Sequence, residues 1–166
     1  MRDLSICPAS DTDLPAILAI YNDAVANTTA IWNEHLSDLE GRRTWWQQRV
    51  EVGFPVLVAR LNRQCVGYAT YGPFRPNDGY KHSRELSVYV APDRRGQGIA
   101  NKLMAALETH ASQAAVHVLV GGIEASNAAS IALHRKHGFV QSAHLPQVGR
   151  KFDRWLDLVL MTKVLD

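Results

Sequence analysis

Residues 85–113 read ELSVYVAPDRRGQGIANKLMAALETHASQ, and this stretch predicts a strand, a tight turn and a long helix in succession. In its first part, apolar residues alternate with Glu85, Ser87 and Tyr89, which is the two-residue period of a strand. Pro92 ends that strand because proline cannot donate a hydrogen bond to a sheet ladder. Further on, apolar residues recur at helical spacing, namely Ala100, Leu103, Met104, Leu107 and Ala111.

The turn between this strand and this helix, Arg94-Arg95-Gly96-Gln97-Gly98, has the composition of an anion-binding turn. The first backbone N–H groups of a helix have no partner within the helix, and the helix dipole favours an anion beside them. Gly96 and Gly98 lack the side chains that would keep a phosphate away, while the two arginines add positive charge. The chain lacks the Gly-Lys-Ser/Thr of a Walker loop and the complete Rossmann fingerprint. A glycine pair alone is equally typical of an ordinary strand-to-helix turn.

The composition of the 166 residues is that of one globular domain, which we expect to span residues 1–166. A hydrophobic content of 46% argues against disorder, and a net charge of +2 is too small to indicate a nucleic-acid partner. The two cysteines, Cys7 and Cys65, form no Cys-x-x-Cys pair, so we expect neither a disulfide framework nor a metal site. Because no signal peptide or membrane-spanning run is visible, we expect a cytoplasmic protein that does not bind membranes.

Apolar periodicity and turn residues divide the rest of the chain into further elements. Before the central stretch we expect an edge strand, two helices and a hairpin, over residues 4–7, 14–25, 37–50, 55–61 and 65–71. After it we expect a buried strand, a short helix and two final strands, over residues 116–123, 127–137, 140–145 and 155–163. Ser37 and Glu40 have the spacing of a capping box for the second helix, and Pro146 and Gly149 predict a loop between the final strands. The order β-α-α-β-β-β-α-β-α-β-β predicts an α/β fold with a mixed central sheet flanked by helices.

The segment Arg95-Gly96-Gln97-Gly98-Ile99-Ala100 resembles the Arg/Gln-x-x-Gly-x-Gly/Ala signature of the GCN5-related N-acetyltransferase (GNAT) superfamily. The element order matches that superfamily along nearly all of the chain. This resemblance implies a single-domain GNAT fold that uses acetyl-CoA and no metal. It also implies that the strands over residues 85–90 and 116–123 splay apart and admit the pantetheine arm. The residues that it assigns to cofactor binding are Val88, Tyr89, Val90, Arg95, Gly96, Gln97, Gly98, Ile99, Ala100, Asn101 and Asn127.

Several segments are similar to the phosphinothricin and methionine-sulfoximine N-acetyltransferases, among them Thr28-Thr29-Ala30-Ile31-Trp32-Asn33 and Lys151-Phe152-Asp153-Arg154-Trp155. This closer resemblance implies a homodimer that acetylates the α-amino group of a glutamate- or methionine-like compound, with a role in herbicide or toxin resistance. Such compounds are phosphinothricin, methionine sulfoximine and methionine sulfone. Relatives usually have Gly-Asp-Trp-Arg after the third strand, whereas Gly72-Pro73-Phe74-Arg75 stands here. The expected substrate contacts are Arg75, Pro76, Asn77, Glu85, Leu86 and Ser87.

Acetyl transfer to an amine requires a base, because an amine at neutral pH is mostly ammonium and cannot attack a thioester. Glu85 matches the catalytic glutamate of the relatives, and we expect it to be this base. Without the resemblance, it would more readily be interpreted as a solvated carboxylate beside Arg84. Arg75 matches the arginine of the relatives' Gly-Asp-Trp-Arg motif. Its guanidinium can bind the substrate carboxylate with two hydrogen bonds. An exposed loop arginine without a ligand is the alternative interpretation of Arg75.

Two further groups are expected to assist the leaving thiolate and the developing oxyanion. His134 occupies the position where the phosphinothricin enzymes have a histidine, and we expect it to act as an acid toward the thiolate. A histidine that only packs near a helix end is the alternative. A backbone N–H near Ser87 and Val88 is the expected oxyanion donor. Asn127 is expected to contact the pantetheine arm, although asparagine is also a favoured N-cap.

Three other functions remain open from the sequence. The acceptor could be a peptide N-terminus, a polyamine or an aminoglycoside; the chain could be a non-catalytic acyl-CoA sensor; or it could be an unrelated nucleotide-binding α/β protein. A polycationic acceptor would favour an acidic patch, and none stands out in the sequence. Arg75 instead favours an anionic acceptor.

Overall fold

A computed structural model of the chain describes residues 4–165, and it contains the predicted helices and strands in the predicted order. The helices are α1 (Leu14–Asn27), α2 (Leu39–Glu51), α3 (Ile99–Gln113) and α4 (Ala128–Lys136). The strands are β1 (Leu4–Pro8), β2 (Val56–Leu61), β3 (Gln64–Pro73), β4 (Ser83–Val90), β5 (Val118–Glu124), β6 (Val140–Lys151) and β7 (Arg154–Val164). The α/β fold that the sequence predicts is therefore confirmed.

All seven strands form one mixed sheet in the order β1-β2-β3-β4-β5-β7-β6. Strands β1 to β4 pair antiparallel, β4 and β5 pair parallel, and β5, β7 and β6 pair antiparallel. Strand β1 lies at one edge of the sheet, as predicted, and β6 lies at the other. The parallel pair β4–β5 is thus the only junction between two antiparallel halves among the described residues.

The parallel pair separates after four residue pairs. Pairing begins at Ser83 with Val118 and ends at Leu86 with Gly121. Strand β4 nevertheless continues to Val90, where it still pairs with β3, and β5 continues to Glu124 beside β7. The facing edges of β4 and β5 therefore diverge beyond these pairs, and we call the space between them the fork. The splay implied by the family resemblance is present.

Helices cover both faces of the sheet. On one face α3 packs through Leu103, Met104 and Leu107, which are fully buried in a large apolar cluster with β2, β3, β5 and β7. On the other face Leu14 and Ile17 of α1 pack against β2 and β3. Burying each such side chain contributes about 1.5–3 kcal/mol, so these two clusters hold the halves of the sheet in place around the fork.

Two local predictions are wrong. The N-cap of α2 is Asp38, whose Oδ1 accepts from the Gly41 N–H at 2.7 Å, while the Ser37 N–H donates to Asn22 instead of opening a capping box. Strand β6 continues to Lys151, although the sequence predicts a loop after residue 145. The strand passes this region through an irregular register, and because β6 is an edge strand, Pro146 removes no required ladder hydrogen bond.

Candidate active site

A cavity of about 940 Å³ occupies the fork. Residues 86–90 of β4 and 121–124 of β5 form its two sides. It is also lined by the start of α3 and by α4 on one face of the sheet, and by the end of α1 on the other face. Because helices of both faces line it, the cavity passes through the sheet at the fork. We call the part of the cavity on the α3 side of the sheet the α3-face mouth and the part on the α1 side the α1-face mouth.

The glycine-rich turn lies at the α3-face mouth and leads directly into α3. Gly96 and Gly98 have φ angles of +73° and +77°, a conformation that glycine adopts without strain. A side chain at either position would meet no other atom within 4 Å, so backbone conformation, more than crowding, accounts for these glycines. Gly98 is the N-cap of α3, and the first N–H groups of that helix are therefore placed at the cavity. This is a suitable cradle for a phosphate.

The arginines of the turn also line the cavity, but each has an acidic neighbour. The guanidinium of Arg94 lies 3.2 Å from a carboxylate oxygen of Asp93, and that of Arg95 lies 3.3 Å from Asp23 of α1. Both arginines retain exposed surface, so these pairs contribute little to stability and can exchange for a ligand phosphate. Ala100 and Asn101 line the cavity as expected, whereas Gln97 does not.

Glu85 lies at the base of the fork and points toward the α1 face. It pairs with Gly72 of β3 and Val120 of β5, and its carboxylate leans over Gly122, where a Cβ would lie 3.0 Å from Oε1. The residue keeps exposed surface, yet burial of the rest of the side chain raises its pKa, and the charge of Arg75 partly offsets this rise. Glu85 is therefore placed as a carboxylate with a raised proton affinity beside the cavity.

The loop after β3 lies outside the cavity. Arg75, Pro76 and Asn77 are all exposed, and Arg75 lies over the ring of Phe74 at 5.3 Å. Arg75 is nevertheless close enough to act electrostatically on Glu85. The roles of Glu85 as the base and of Arg75 as the carboxylate-binding residue stay predictions, while Leu86 and Ser87 belong to the cavity wall itself.

His134 approaches the fork from α4 on the α3 face. Its Nδ1 lies 2.7 Å from the Ser130 carbonyl, which can only accept, so Nδ1 carries the proton and donates. Nε2 is buried and has no hydrogen-bond partner within residues 4–165, and the ring packs on Gly121, where a Cβ would lie 2.5 Å from Nε2. Burial lowers the pKa of His134, and this favours the neutral ring. In this form Nε2 holds a lone pair and no proton.

Asn127 has the structural role that its residue type predicts. Its side-chain oxygen accepts from the Ser130 N–H at 3.1 Å and caps α4. The residue also lines the cavity, so the capping role and the expected contact with a ligand are compatible. Tyr89 lies at the cavity too, with its ring centre 5.2 Å from that of Tyr68.

Sequence reasoning did not assign a group of residues that closes the α1-face mouth. The end of α1 and the following loop contribute Asn27 and residues 28–30, and the β6–β7 turn contributes Phe152 and Arg154. Glu124 lies beside them, where burial alone would raise its pKa, but hydrogen bonds from Ser126 and Thr29 outweigh burial and lower it. The segments were visible in the sequence, but their contact across the fold was not.

Two negative findings apply to residues 4–165. No group of three or more histidine, cysteine or acidic side chains within that range is arranged to hold a metal ion. None of the helices there is long and apolar enough to cross a membrane.

Comparisons with known proteins agree with this arrangement. The model of the acetyltransferase (GNAT) family matches residues 17–139. A methionine sulfoximine/methionine sulfone acetyltransferase of Pseudomonas aeruginosa is 52% identical over 98% of this chain and 95% of that relative. A phosphinothricin N-acetyltransferase of Alcaligenes faecalis is 38% identical over 94% of this chain and 80% of that relative.

Solved structures are similar over nearly the whole chain. One is named ribosomal-protein-alanine N-acetyltransferase, from Brucella melitensis; it is 60% identical, covers 97% of this chain and 99% of its own, and has a TM-score of 0.96. Another is an acetyltransferase of Salmonella typhimurium solved with its cofactor acetyl-CoA. It is 45% identical, covers 99% of this chain and 95% of its own, and has a TM-score of 0.97. The family resemblance is confirmed, and the chain belongs to the acetyltransferase (GNAT) family of enzymes.

Proposed function

We propose that this enzyme transfers the acetyl group of acetyl-CoA to the α-amino group of a small amino-acid-like acceptor, such as methionine sulfoximine, methionine sulfone or phosphinothricin. The cavity through the fork carries the proposal, because it offers a phosphate cradle at one mouth and a carboxylate base near the other. The names of the relatives supply the acceptor class. The continuous sheet also supports one catalytic domain over residues 1–166.

The residues proposed to bind the cofactor fit that ligand. Strands β4 and β5 do not pair beyond Leu86 and Gly121, so backbone groups of Val88, Tyr89 and Val90 on the fork side can bind an amide-bearing arm. The N–H groups from Gly98 to Asn101, together with Arg95, are suited to a pyrophosphate. Bound acetyl-CoA would supply the thioester. The remaining chemistry belongs to the side chains and backbone of this chain.

In the proposed reaction, Glu85 accepts a proton from the acceptor's ammonium group, and the free amine can then attack. A bond forms between the amine nitrogen and the acetyl carbon, and the carbon–sulfur bond breaks. The nitrogen also loses a second proton, which balances the proton gained when the CoA thiolate becomes the free thiol. A backbone N–H of β4 near Ser87 or Val88 stabilises the negative charge that develops on the thioester oxygen. Proton donation by His134 to the leaving thiolate stays a prediction. It would require that the buried Nε2 first gain a proton.

We propose that Arg75 binds the acceptor's carboxylate, with Pro76, Asn77, Leu86 and Ser87 as neighbouring contacts. Arg75 forms no salt bridge with an acidic side chain in residues 4–165, and its charge acts on Glu85. An acceptor with its α-carboxylate on this arginine would present its α-ammonium near the base. The two groups are adjacent on one carbon in every α-amino acid.

We further propose a homodimer. The β6–β7 hairpin exposes apolar side chains at the edge of the sheet, and Val148, Phe152 and Trp155 are 51%, 53% and 61% exposed. A second copy would cover this patch, and it lies next to the α1-face mouth because Phe152 lines the cavity. Sedimentation equilibrium tests this: a mass twice that of the 18.4 kDa chain is expected, and Trp155→Glu should shift it toward one chain.

A peptide N-terminus is a second candidate acceptor. The Brucella melitensis structure, at 60% identity, is named for the acetylation of a ribosomal-protein alanine. A peptide would place its first carbonyl, and not a free carboxylate, beside Arg75. The KM of a free amino-acid acceptor should therefore depend on Arg75 more strongly than the KM of a peptide acceptor.

The experiment is thiol release from acetyl-CoA with a panel of amines. The panel contains phosphinothricin, methionine sulfoximine, methionine sulfone, glutamate, spermidine and a peptide with an N-terminal alanine. Rapid release with the first three alone supports the proposal, and release with the peptide alone supports the second candidate. If no amine causes release although CoA binds tightly, the proposed acceptor class is wrong and the result favours the alternative of an acyl-CoA sensor.

A further inference from the structure

Two sequence segments that the proposed mechanism does not use meet at the α1-face mouth. The first is residues 28–33, which follow α1 and which we call the anchor loop. The second is the β6–β7 turn at residues 151–154. Although about 120 positions separate them, the Lys151 Nζ donates to the backbone carbonyls of Thr28, at 2.7 Å, and Ile31. One ammonium group thus joins the start and the middle of the anchor loop to the hairpin.

Lys151 is an unusual residue for this position. Its side chain is only 3% exposed, and it forms no salt bridge with an acidic group among the described residues. Burying an ammonium costs free energy unless hydrogen bonds replace its water, and two carbonyls supply that replacement here. An apolar side chain of similar length would avoid the cost, but it would leave the two carbonyls without this donor.

Two further contacts hold the same loop. The Trp32 ring lies on Gly149 of β6, where a Cβ would come within 2.2 Å of the ring, and Trp32 Nε1 donates to the Thr29 carbonyl at 2.9 Å. From the other side, the Thr29 hydroxyl donates to Glu124 of β5 at 3.0 Å. The anchor loop is therefore held by three residues, Glu124 of β5, Gly149 within β6 and Lys151 at the end of β6.

The anchor loop lies on the face of the sheet from which the acceptor must approach. Glu85 and Tyr89 project toward the α1 side, because Tyr89 packs on Tyr68 in the cluster that includes α1. A base that deprotonates the acceptor must reach it by a hydrogen bond, directly or through one water, so the acceptor's amine lies on this same face. Residues 28–30, which follow α1, line the cavity together with Phe152 and Arg154, whereas α4 packs in the apolar cluster of α3 on the other face.

From this arrangement we infer that Lys151 is a positioning residue for the acceptor: its ammonium holds the anchor loop as the wall of the α1-face mouth. The inference rests on the proposed acetyl transfer. It assigns to Lys151 no contact with the acceptor or with acetyl-CoA. Loss of the ammonium should loosen the wall and weaken acceptor binding, while the cofactor side of the cavity keeps its shape.

The test compares Lys151→Met with Lys163→Met. Lys163 Nζ forms a salt bridge with Oε1 of Glu108 on α3 at 2.8 Å. This salt bridge lies on the α3 face of the sheet, opposite to the anchor loop. In Lys151→Met we expect the acceptor KM to rise about tenfold, with kcat and the acetyl-CoA KM within about twofold of wild type. We also expect faster amide exchange in residues 28–33. Lys163→Met should change neither the acceptor KM nor that exchange.

Gly149→Ala provides a second route to the same loop, because the added methyl group displaces the Trp32 ring. It should reproduce the rise in acceptor KM even if Lys151→Met folds poorly. An unchanged acceptor KM in the folded variants, or an equal rise in the acetyl-CoA KM, would overturn the inference while leaving the acetyltransferase activity intact. A wild-type protein that acetylates no amine of the panel would instead overturn the proposed function, and the inference would fall with it.

Discussion

Gly121 and Gly122 are adjacent in β5, yet alanine should lower mainly the stability at Gly121 and mainly the catalytic rate at Gly122. A Cβ on Gly121 would lie 2.5 Å and 2.7 Å from two ring atoms of His134, which is 4% exposed and packs edge-on against Phe139. Overpacking of this kind costs about 1–3 kcal/mol, and the lower chain entropy of alanine returns about 0.4–1 kcal/mol. We therefore expect Gly121→Ala to lose about 1–2 kcal/mol, or about 2–8 °C in Tm at this chain length.

In Gly122→Ala, the new Cβ would lie 3.0 Å from the Glu85 carboxylate, which ends a flexible and partly exposed side chain. The carboxylate can move aside, so Tm should change by less than about 2 °C. The new Cβ would push the proposed base aside by a few tenths of an ångström, and this displacement should lower kcat severalfold. Thermal unfolding followed by circular dichroism and thiol release from acetyl-CoA measure the two effects. Equal Tm values for the two variants would refute the packing argument, and an unchanged kcat in Gly122→Ala would refute the placement of the base.

Three other predictions concern charged side chains. Glu85→Gln should lower kcat by about 10²–10⁴-fold and leave CoA binding unchanged; because a base acts when deprotonated, wild-type activity should be lost as the pH falls through the raised pKa of Glu85. Arg75→Ala should raise the acceptor KM about tenfold without changing the acetyl-CoA KM, in contrast to Arg63→Ala in the distant β2–β3 turn. Asp13→Asn should cost about 1–3 kcal/mol at neutral pH, since the carboxylate accepts from Arg60 at 2.6 Å. Burial would raise the pKa of Asp13, but Arg60 and Ser10 lower it, so this stabilisation exists above the unfolded pKa of about 3.9 and should vanish in Tm measurements as the pH falls below it.

The elements with strong local patterns could be predicted from the sequence. The alternation around Glu85, the turn with Gly96 and Gly98, and the stripe of α3 occur where expected because each depends on neighbours a few residues away. The extension of β6 past Pro146 could not be predicted. It depends on partners in β7 and on an irregular register in which the Asp157 side chain accepts from the Gln147 N–H.

The sequence could suggest candidate residues for the site, but not the contacts between distant segments that surround it. Gly98 and Asn127 occupy the helix starts that their short motifs predict, whereas only the resemblance to relatives singled out Glu85, whose role as the base stays a prediction. The neutral form of His134 depends on a carbonyl one turn earlier and on the absence of a partner for Nε2, which only the folded helix determines. The contact of Lys151 with the anchor loop links segments about 120 positions apart, and no local pattern encodes it.

The divergence of β4 and β5 gives this sheet two internal edges in addition to the outer edges at β1 and β6. An open edge can normally pair with a strand of another chain. Here helices on both faces leave room only for a slender, extended molecule. Such a molecule must bring its own donors and acceptors, since each backbone group left unpaired on a dry internal edge costs about 1–3 kcal/mol. If the proposed cofactor binds along these edges, methylation of its amides should weaken binding far more than substitution of side chains along the two strands.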